Sequence, residues 1–225
     1  MGSTVIAVDG PVASGKTTVG RLLAQKLGYR FLDTGVMYRA ITWAALKAGI
    51  SPEDSHHLVS LAHEHKMDVV FQEDGQALVL VNGCDAATHL REERVDQSVS
   101  LVSQVPGIRE ILVAHQRRVA EGGGMVMAGR DIGTVVLPDA PLKVFLTASV
   151  TERARRRHVE LQASGQVVPY QNVLDEMATR DKLDSGRKVA PLRPALDAHV
   201  LTTDGLSIEM VLERILKLMG HLSWA

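Results

Sequence analysis

Five short apolar runs recur along the chain and alternate with helical patterns. They occupy residues 4–8, 29–32, 125–128, 142–146 and 198–201. Continuous apolar runs of this length are typical of strands that are buried on both faces of a parallel sheet. Because helices alternate with them, we predict an α/β fold with a five-stranded, doubly wound parallel sheet flanked by helices. In such sheets, ligands bind at the carboxyl ends of the strands.

Apolar residues at helical spacing predict the helices between these strands. The first helix follows residue 15 and stops at Gly28, a residue type that favours helix ends. A later helix is expected to begin with Ser51 as its N-cap, Pro52 at the first helical position and Asp54 as the capping-box acid. The remaining helices are predicted at residues 36–48, 91–103, 106–119, from 149 onward, 171–183 and 207–219.

An antiparallel meander interrupts this alternation. Residues 67–71 and 77–81 are β-like runs separated by Glu73-Asp74-Gly75, and Asn82-Gly83 follows as a second turn. Short runs separated by such turn residues are typical of hairpins. We expect this meander to form a small inserted subdomain at about residues 60–100 within one domain that spans all 225 residues.

The composition narrows the functional classes. A formal net charge of −1 argues against general binding to nucleic acid or to a membrane surface. A single cysteine, Cys84, excludes a disulfide framework and a cysteine metal cluster. His63 and His65 would not share one helix face, which favours a solvated helix end over a metal site. Since no signal peptide or membrane span is predicted, we expect a cytoplasmic protein. We also expect a monomer.

The segment after the first strand matches a phosphate-binding loop. It reads Gly10-Pro11-Val12-Ala13-Ser14-Gly15-Lys16-Thr17 and fits the pattern G-x-x-x-x-G-K-[ST] between a predicted strand and a predicted helix. This context places backbone N–H groups around an anion. Lys16 is expected to reach the β- and γ-phosphates, and the Thr17 hydroxyl to bind Mg²⁺. The chain is therefore predicted to bind a nucleoside triphosphate.

Two further candidate sites follow predicted strands. Asp33-Thr34-Gly35 comes after the second strand, with Arg39 one turn into the next helix, and its planar guanidinium suits two phosphate oxygens at once. Gly129-Arg130-Asp131 comes after the third strand, where Gly129 would let a ligand approach the backbone. A charged pair at the end of a buried strand is a ligand site or a structural ion pair, and we favour the site.

Residues 153–157 contain four arginines. Of these, Arg153, Arg156 and Arg157 share one face of a predicted helix. A solvated face is the usual meaning of such a run. Four like charges nevertheless repel one another unless an anion lies opposite, and a bound triphosphate would supply that anion.

A second charged stripe is predicted on the helix near residue 180. Arg180, Asp184 and Arg187 are spaced i, i+4 and i+7 and would lie on one face. The pattern alone leaves a ligand contact and a simple salt bridge equally open.

Together these motifs resemble those of the bacterial cytidylate (CMP) kinases, a branch of the nucleoside monophosphate kinases. The resemblance covers nearly the whole chain. Its most specific part is Gly-Arg-Asp-Ile-Gly-Thr-Val-Val at residues 129–136, since the phosphate loop is shared by many unrelated NTPases. It implies that the meander belongs to a monophosphate-binding region. The other matching segments are residues 6–11, 33–39, 137–141, 180–184 and 187–192.

The resemblance implies transfer of the γ-phosphoryl group of ATP, with Mg²⁺, to CMP or dCMP, giving ADP and CDP or dCDP. It also implies an acceptor site in three parts. The CMP phosphate would be held by Arg39, Arg130 and Arg187. The cytosine edge would be read by Ser100, Arg109 and Asp131. The sugar would be contacted by Arg180 and Asp184. Thr34 belongs to the same site, at a position where a serine is common.

The same resemblance implies a donor site around the phosphate loop. ATP would be bound by residues 10–17 together with Thr18 and Arg156. A lid at about residues 153–170 would cover ATP. The residues expected to act in catalysis are Lys16, Arg130, Arg187, Arg153 and Arg157.

Two other functions stay open at this point. A phosphate-loop kinase of a small metabolite hydroxyl, such as shikimate or gluconate, would need a base, and Asp33 could serve. The meander and the stripe near residue 180 argue against it. A guanine-nucleotide switch would carry an N-K-x-D signature, which the sequence lacks. Turnover with CMP, shikimate, gluconate or no acceptor would separate all three.

Overall fold

Residues 4–220, which the computed structural model describes, form eight strands, eight α-helices and one π-helix. The strands are β1 (Val5–Asp9), β2 (Arg30–Asp33), β3 (Met67–Phe71), β4 (Ala77–Val81), β5 (Cys84–Asp85), β6 (Met125–Gly129), β7 (Leu142–Thr147) and β8 (His199–Thr202). The α-helices are α1 (Lys16–Leu27), α2 (Gly35–Lys47), α3 (Ser55–Glu64), α4 (Glu93–Val102), α5 (Pro106–Ala120), α6 (Val150–Ala163), α7 (Tyr170–Ser185) and α8 (Ile208–Gly220). The π-helix covers Ile132–Val136.

Five strands form one parallel sheet in the order β2-β6-β1-β7-β8. Successive residues of β1 point to opposite faces, so Ala7 packs into one apolar cluster while Ile6 and Val8 pack into the other. Helices α2 to α5 supply the first cluster, and α1 and α8 supply the second. The predicted parallel sheet with helices on both faces is confirmed, and it brings the ends of β1, β2 and β6 to one edge.

The last strand departs from the expectation of five buried strands. His199, Val200 and Thr202 of β8 are exposed. The physical reason is position, because β8 lies at the edge of the sheet and pairs with β7. An apolar run identifies a strand but does not distinguish an edge strand from a central one.

The predicted meander is confirmed as a separate antiparallel sheet in the order β3-β4-β5. Its register pairs Met67 with Val81 and Phe71 with Ala77. The second turn forms at Asn82-Gly83, where both residues have positive φ, as the turn requires. Val79 and Val81 are buried in the main apolar cluster, so this sheet packs on the core. The subdomain boundaries of 60–100 stay a prediction.

Helix α3 begins three residues later than the predicted N-cap at Ser51 requires. Asp54 is the N-cap, since its carboxylate accepts the N–H of His57 at 3.1 Å. The Ser51 hydroxyl instead accepts the N–H of Glu53 at 3.3 Å, within the turn before the helix. Both residue types cap well, and only one of them can occupy the junction.

Helices α6 and α7 form a hairpin beside the phosphate-loop segment. Ser149 caps α6 by accepting the N–H of Glu152. The two helices share a small apolar cluster that includes Ala154 and Met177, and Val12 of the loop packs against it. This is where the lid is expected, and its boundaries at 153–170 stay a prediction.

Candidate active site

The phosphate loop lies where the sequence places it, between β1 and α1. Gly10 opens the loop with φ of 152°, and a Cβ there would lie 2.1 Å from the carbonyl oxygen of Leu146. Gly15 has φ of 93° immediately before the first residue of α1. Both positions therefore need glycine. The first N–H groups of a helix have no partner within that helix, so the start of α1 beside the loop is suited to bind an anion.

Lys16 is buried at the start of α1, with 6% of its surface exposed. Its ammonium group donates a hydrogen bond to the carbonyl oxygen of Pro11 at 2.9 Å. Burial lowers the pKa of Lys16 well below its ordinary value, and the nearby charge of Arg130 acts in the same direction. Because this ammonium group is desolvated, an anion that enters the site would stabilise its charged form.

The Thr17 hydroxyl donates a hydrogen bond to a carboxylate oxygen of Asp33 at 2.6 Å. The other oxygen of Asp33 accepts the N–H of Gly35 at 3.0 Å. The Thr17 hydroxyl and the Asp33 carboxylate therefore lie together beside the phosphate loop, because β2 ends at Asp33. The sequence predicted Thr17 as a metal ligand and Asp33 as the base of the alternative metabolite kinase, but it did not predict the hydrogen bond between them.

A cavity of about 530 Å³ opens between the phosphate loop, α4, α5, α7 and the segment after β6. It brings together every residue that was expected in the acceptor site, along with Lys16, Thr17, Thr18 and Arg157. Arg153, Arg156, Gly10, Pro11 and Ser14 lie outside its lining. The acceptor residues that line it are Thr34, Arg39, Ser100, Arg109, Arg130, Asp131, Arg180, Asp184 and Arg187.

The lining of the cavity includes a buried ion pair between Arg109 and Asp131. Both side chains are less than a tenth exposed, and the Arg109 guanidinium lies 5.6 Å from the centre of the Tyr38 ring. Burial raises the pKa of Asp131, while Arg109 opposes that shift. Burial also raises the pKa of Tyr38 to about 12. The polar edge that this pair presents is fixed in place by its surroundings.

Asp184, which also lines the cavity, bonds two of its arginines. One of its oxygens accepts from Nε of Arg130 at 2.9 Å, and the other accepts from Arg187. Burial raises the pKa of Asp184, but Arg130 and Arg187 outweigh burial and the net pKa is lowered. The expectation of one helical stripe is wrong in part, because α7 ends at Ser185 and Arg187 reaches Asp184 from the loop beyond.

Two guanidinium groups in this cavity keep unused hydrogen-bond donors. Among residues 4–220, the buried Nε atoms of Arg180 and Arg187 find no hydrogen-bond partner. Burial lowers the pKa of Arg180 to about 10, and the charges of Arg130 and Arg39 add to this effect. Buried donors without partners are costly, and an anion would satisfy them. The arrangement is therefore suited to bind a phosphate group.

Asp96 of α4 is a cavity residue that sequence reasoning missed. Its carboxylate accepts from Arg39 at 2.5 Å and lies 3.5 Å from a nitrogen of Arg157. One carboxylate thus links α2, α4 and α6. The available signal was its spacing, since Asp96 lies one helical turn before Ser100 on the same helix.

The arginine cluster of α6 finds counter-charges within the chain, so carboxylates supply the anions that such a run requires. The expected contact of these arginines with a bound triphosphate stays a prediction. Glu152 bonds both Arg155 and Arg156 at 2.8 Å. Arg153 pairs with Asp181 and also donates to the carbonyl oxygen of Val12 at 3.3 Å. The remaining member, Arg157, pairs with Glu160 at 3.0 Å. The Val12 contact ties α6 to the backbone of the phosphate loop.

Comparisons with known proteins indicate a family for this chain. A family model described as cytidylate kinase matches residues 6–221. A curated cytidylate kinase of Geobacillus kaustophilus is 50% identical, over 96% of this chain and 96% of its own length. One from Caldanaerobacter subterraneus subsp. tengcongensis is 49% identical, over 93% of this chain and 92% of its own length.

Solved structures support the fold alone. A shikimate kinase from Bacteroides thetaiotaomicron has a TM-score of 0.50 and 15% identity, and the match covers 96% of this chain and 98% of that one. A gluconokinase from Sinorhizobium meliloti has a TM-score of 0.50 and 15% identity, and the match covers 97% of this chain and 92% of that one.

Within residues 4–220, every helix is too short or too polar to cross a membrane. The family-model match spans almost the whole chain, and relatives near 50% identity span nearly their full lengths. The resemblance that the motifs carry is thereby confirmed, and the chain belongs to the cytidylate kinase family.

Proposed function

We propose that this chain transfers the γ-phosphoryl group of ATP to CMP or dCMP, giving ADP and CDP or dCDP. The observation that carries the proposal is the cavity between the phosphate loop and the Arg109–Asp131 pair. It combines buried guanidinium donors that lack partners with the polar edge of that buried pair. A nucleoside monophosphate presents the matching groups, an anionic phosphate at one end and a polar base edge at the other.

On the donor side, the phosphate loop and Lys16 would bind the triphosphate. The buried ammonium group lies beside the Pro11 carbonyl. In this proposal it would neutralise the charge that builds up on the migrating group. Arg153 supports the loop through the Val12 carbonyl, while Arg156 donates to Thr203 at 2.7 Å and 3.0 Å. In this proposal Arg153 and Arg156 act by holding the loop and the hairpin helix in place.

Mg²⁺ enters the proposal together with ATP. The Thr17 hydroxyl and the Asp33 carboxylate supply the hard oxygen ligands that Mg²⁺ prefers, and they lie 2.6 Å apart. These two residues would hold the ion beside the loop, directly or through water. When bound, the metal neutralises charge on the β- and γ-phosphate oxygens.

On the acceptor side, Arg39, Arg130 and Arg187 would hold the CMP phosphate. The second pKa of a nucleotide phosphate is about 6, so its attacking oxygen is already anionic at neutral pH. The reaction thus needs alignment and charge neutralisation more than a general base. Asp184 would fix the direction of two of these guanidiniums, since it bonds both Arg130 and Arg187.

The base and the sugar would occupy the rest of the cavity. Ser100, Arg109 and Asp131 would face the cytosine edge, and Arg180 and Asp184 would face the ribose. Both oxygens of Asp184 already accept from arginines, so a ribose hydroxyl would share them as an additional donor.

The metabolite-kinase alternative has weaker support. Its examples among the solved structures are 15% identical and carry the fold alone. Asp33, the base that this alternative needs, is bonded to Thr17 and to the N–H of Gly35. Release of ADP with CMP, dCMP, UMP, shikimate, gluconate or no acceptor tests the proposal. We expect CMP and dCMP to support the fastest release, and equal release without acceptor would refute it.

Asp184→Ala is expected to change the preference between CMP and dCMP. The 2′-hydroxyl of CMP can donate to this carboxylate, and dCMP lacks that group. Loss of the contact should cost about 1–3 kcal/mol for CMP alone, in addition to any loss common to both substrates. The measurement is the ratio of kcat/KM for the two substrates, with Asp175→Ala, an exposed carboxylate on α7, as the control. A constant ratio with both values lowered would limit Asp184 to orienting Arg130 and Arg187.

A further inference from the structure

A buried carboxylate connects the end of β1 to the segment that follows β6. Asp9 is the last residue of β1, only 5% exposed, and Gly10 of the phosphate loop comes next. Its two oxygens accept the N–H groups of Ile132 at 2.8 Å and Gly133 at 2.7 Å. Those residues begin the π-helix, directly after Arg130 and Asp131. Asp9 is thus bonded to the backbone that carries both of these acceptor residues.

The position of this carboxylate is energetically costly. Burial raises the pKa of Asp9 to about 6, although the two backbone N–H groups act in the opposite direction. N–H groups at the start of a helical turn have no partner within that turn. Each oxygen of Asp9 satisfies one of them, so the bonds fix the orientation of the turn as well as compensating the buried charge.

Tight packing leaves the turn little freedom to compensate for a lost bond. A Cβ on Gly129 would lie 2.6 Å from Cδ1 of Ile132, and one on Gly133 would lie 3.4 Å from Asp9 and 3.2 Å from Lys143. In the sheet register, Asp9 is paired with Gly129. The backbone from Gly129 to Gly133 is therefore pressed against β1, with the Asp9 carboxylate between them.

We propose that Asp9 is a positioning residue that sets the Arg130–Asp131 turn relative to the phosphate loop. It acts through two backbone bonds and makes no contact with the substrate itself in this proposal. The strand that delivers the donor-binding loop thereby also fixes the acceptor-binding turn. The inference rests on the proposed function, because it needs Arg130 and Asp131 to contact CMP.

Asp9→Asn is the first test. The amide keeps one accepting oxygen but presents an NH₂ group to the other N–H, so one bond is lost. We expect KM for CMP to rise about tenfold or more, because misplacement of positioning groups by about 1 Å is costly. KM for ATP should change less than about twofold. The matched control is Asp54→Asn, in which another carboxylate that holds a backbone N–H is altered on α3, outside the cavity lining.

A second measurement uses the wild-type protein and does not depend on the folding of the variant. The Asp9 carboxyl ¹³C signal reports the protonation of Asp9 itself by NMR, although the charges of Lys16 and Asp131 act on it and Lys143 packs beside Gly133. From pH 8 to pH 5, the Ile132 and Gly133 amide signals and the Arg130 Nε–H signal should shift with the Asp9 midpoint, near 6.

The outcomes are distinct. Equal changes of both KM values in Asp9→Asn, or an unchanged KM for CMP, would overturn the proposal. An Arg130 Nε–H signal that does not shift at the Asp9 midpoint would also overturn the proposal. This result is independent of whether the variant folds, because the titration uses the wild-type protein. A wild-type protein that does not phosphorylate CMP would refute the proposed function instead, and the NMR titration would still report whether Asp9 holds the turn.

Discussion

Lys16→Ala is expected to lower kcat for CMP phosphorylation by on the order of 10³-fold while the protein stays folded. The ammonium group lies at the start of α1, inside the phosphate loop, and is bonded to the Pro11 carbonyl. Among the side chains of the loop, Lys16 carries the positive charge that can follow the migrating phosphoryl group. Removing it leaves the backbone N–H groups of the loop in place, so ATP binding should weaken less than catalysis.

Thermal stability separates this effect from unfolding. Burial lowers the pKa of Lys16, which means that the folded state disfavours its charged form. Removing the charge relieves that cost, so Tm should stay constant or rise. Lys16→Met keeps most of the apolar volume, and Lys26→Ala removes an exposed lysine from the same helix as a control. Near-normal kcat in a folded Lys16→Ala protein would refute the assignment of the phosphate loop.

Arg109→Ala and Asp131→Ala are each expected to raise KM for CMP by about 100-fold and to leave KM for ATP nearly unchanged. The two side chains form a buried pair in the lining of the cavity. Loss of either leaves a polar group of the base unpaired, and only one of the two substrates meets this edge.

The same substitutions should also lower stability. Removing one partner of a buried ion pair leaves an uncompensated charge, at a cost of about 3–5 kcal/mol. The double variant Arg109→Met with Asp131→Leu replaces the pair by apolar groups and should recover much of this loss. It should not recover CMP affinity. Lys66→Ala, which breaks an exposed pair with Asp68, is the control and should cost less than about 1 kcal/mol.

Two measurements on each variant distinguish recognition of the cytosine base from a general effect on the shape of the site. They are the steady-state KM values for both substrates and the stability to chemical denaturation. Equal effects on the two KM values would mean that Arg109 and Asp131 shape the site as a whole. Recovery of CMP affinity together with stability in the apolar double variant would contradict base recognition by these charges.

Local patterns in the sequence predicted most of the fold. Apolar runs located all five strands of the parallel sheet, and turn residues located the meander with its strand limits at 67–71 and 77–81. The wrong predictions concerned the start of a helix and a strand at the edge of the sheet. Ser51 competed with Asp54 for the N-cap of α3, and the exposure of β8 depends on its neighbours in the sheet. Periodicity does not contain that information.

For the site, the sequence located single residues better than their partners. Lys16 and Thr17 follow from a contiguous motif whose geometry is local. Asp9 and Asp96 were missed because their roles depend on contacts with residues 123 positions and 57 positions away in sequence. Arg187 was expected on α7, yet it reaches Asp184 from beyond the end of the helix. Such pairings are determined by the tertiary fold.

The most direct test of the central claim follows the transferred group itself. The protein is incubated with Mg²⁺, CMP and ATP labelled at the γ-phosphate, with the Lys16→Met variant as the blank. The account predicts that the label appears in the β-phosphate of CDP, with little label in inorganic phosphate because both substrates are needed for efficient transfer. Label that appears only in inorganic phosphate, or the same yield of labelled CDP from Lys16→Met, would contradict it.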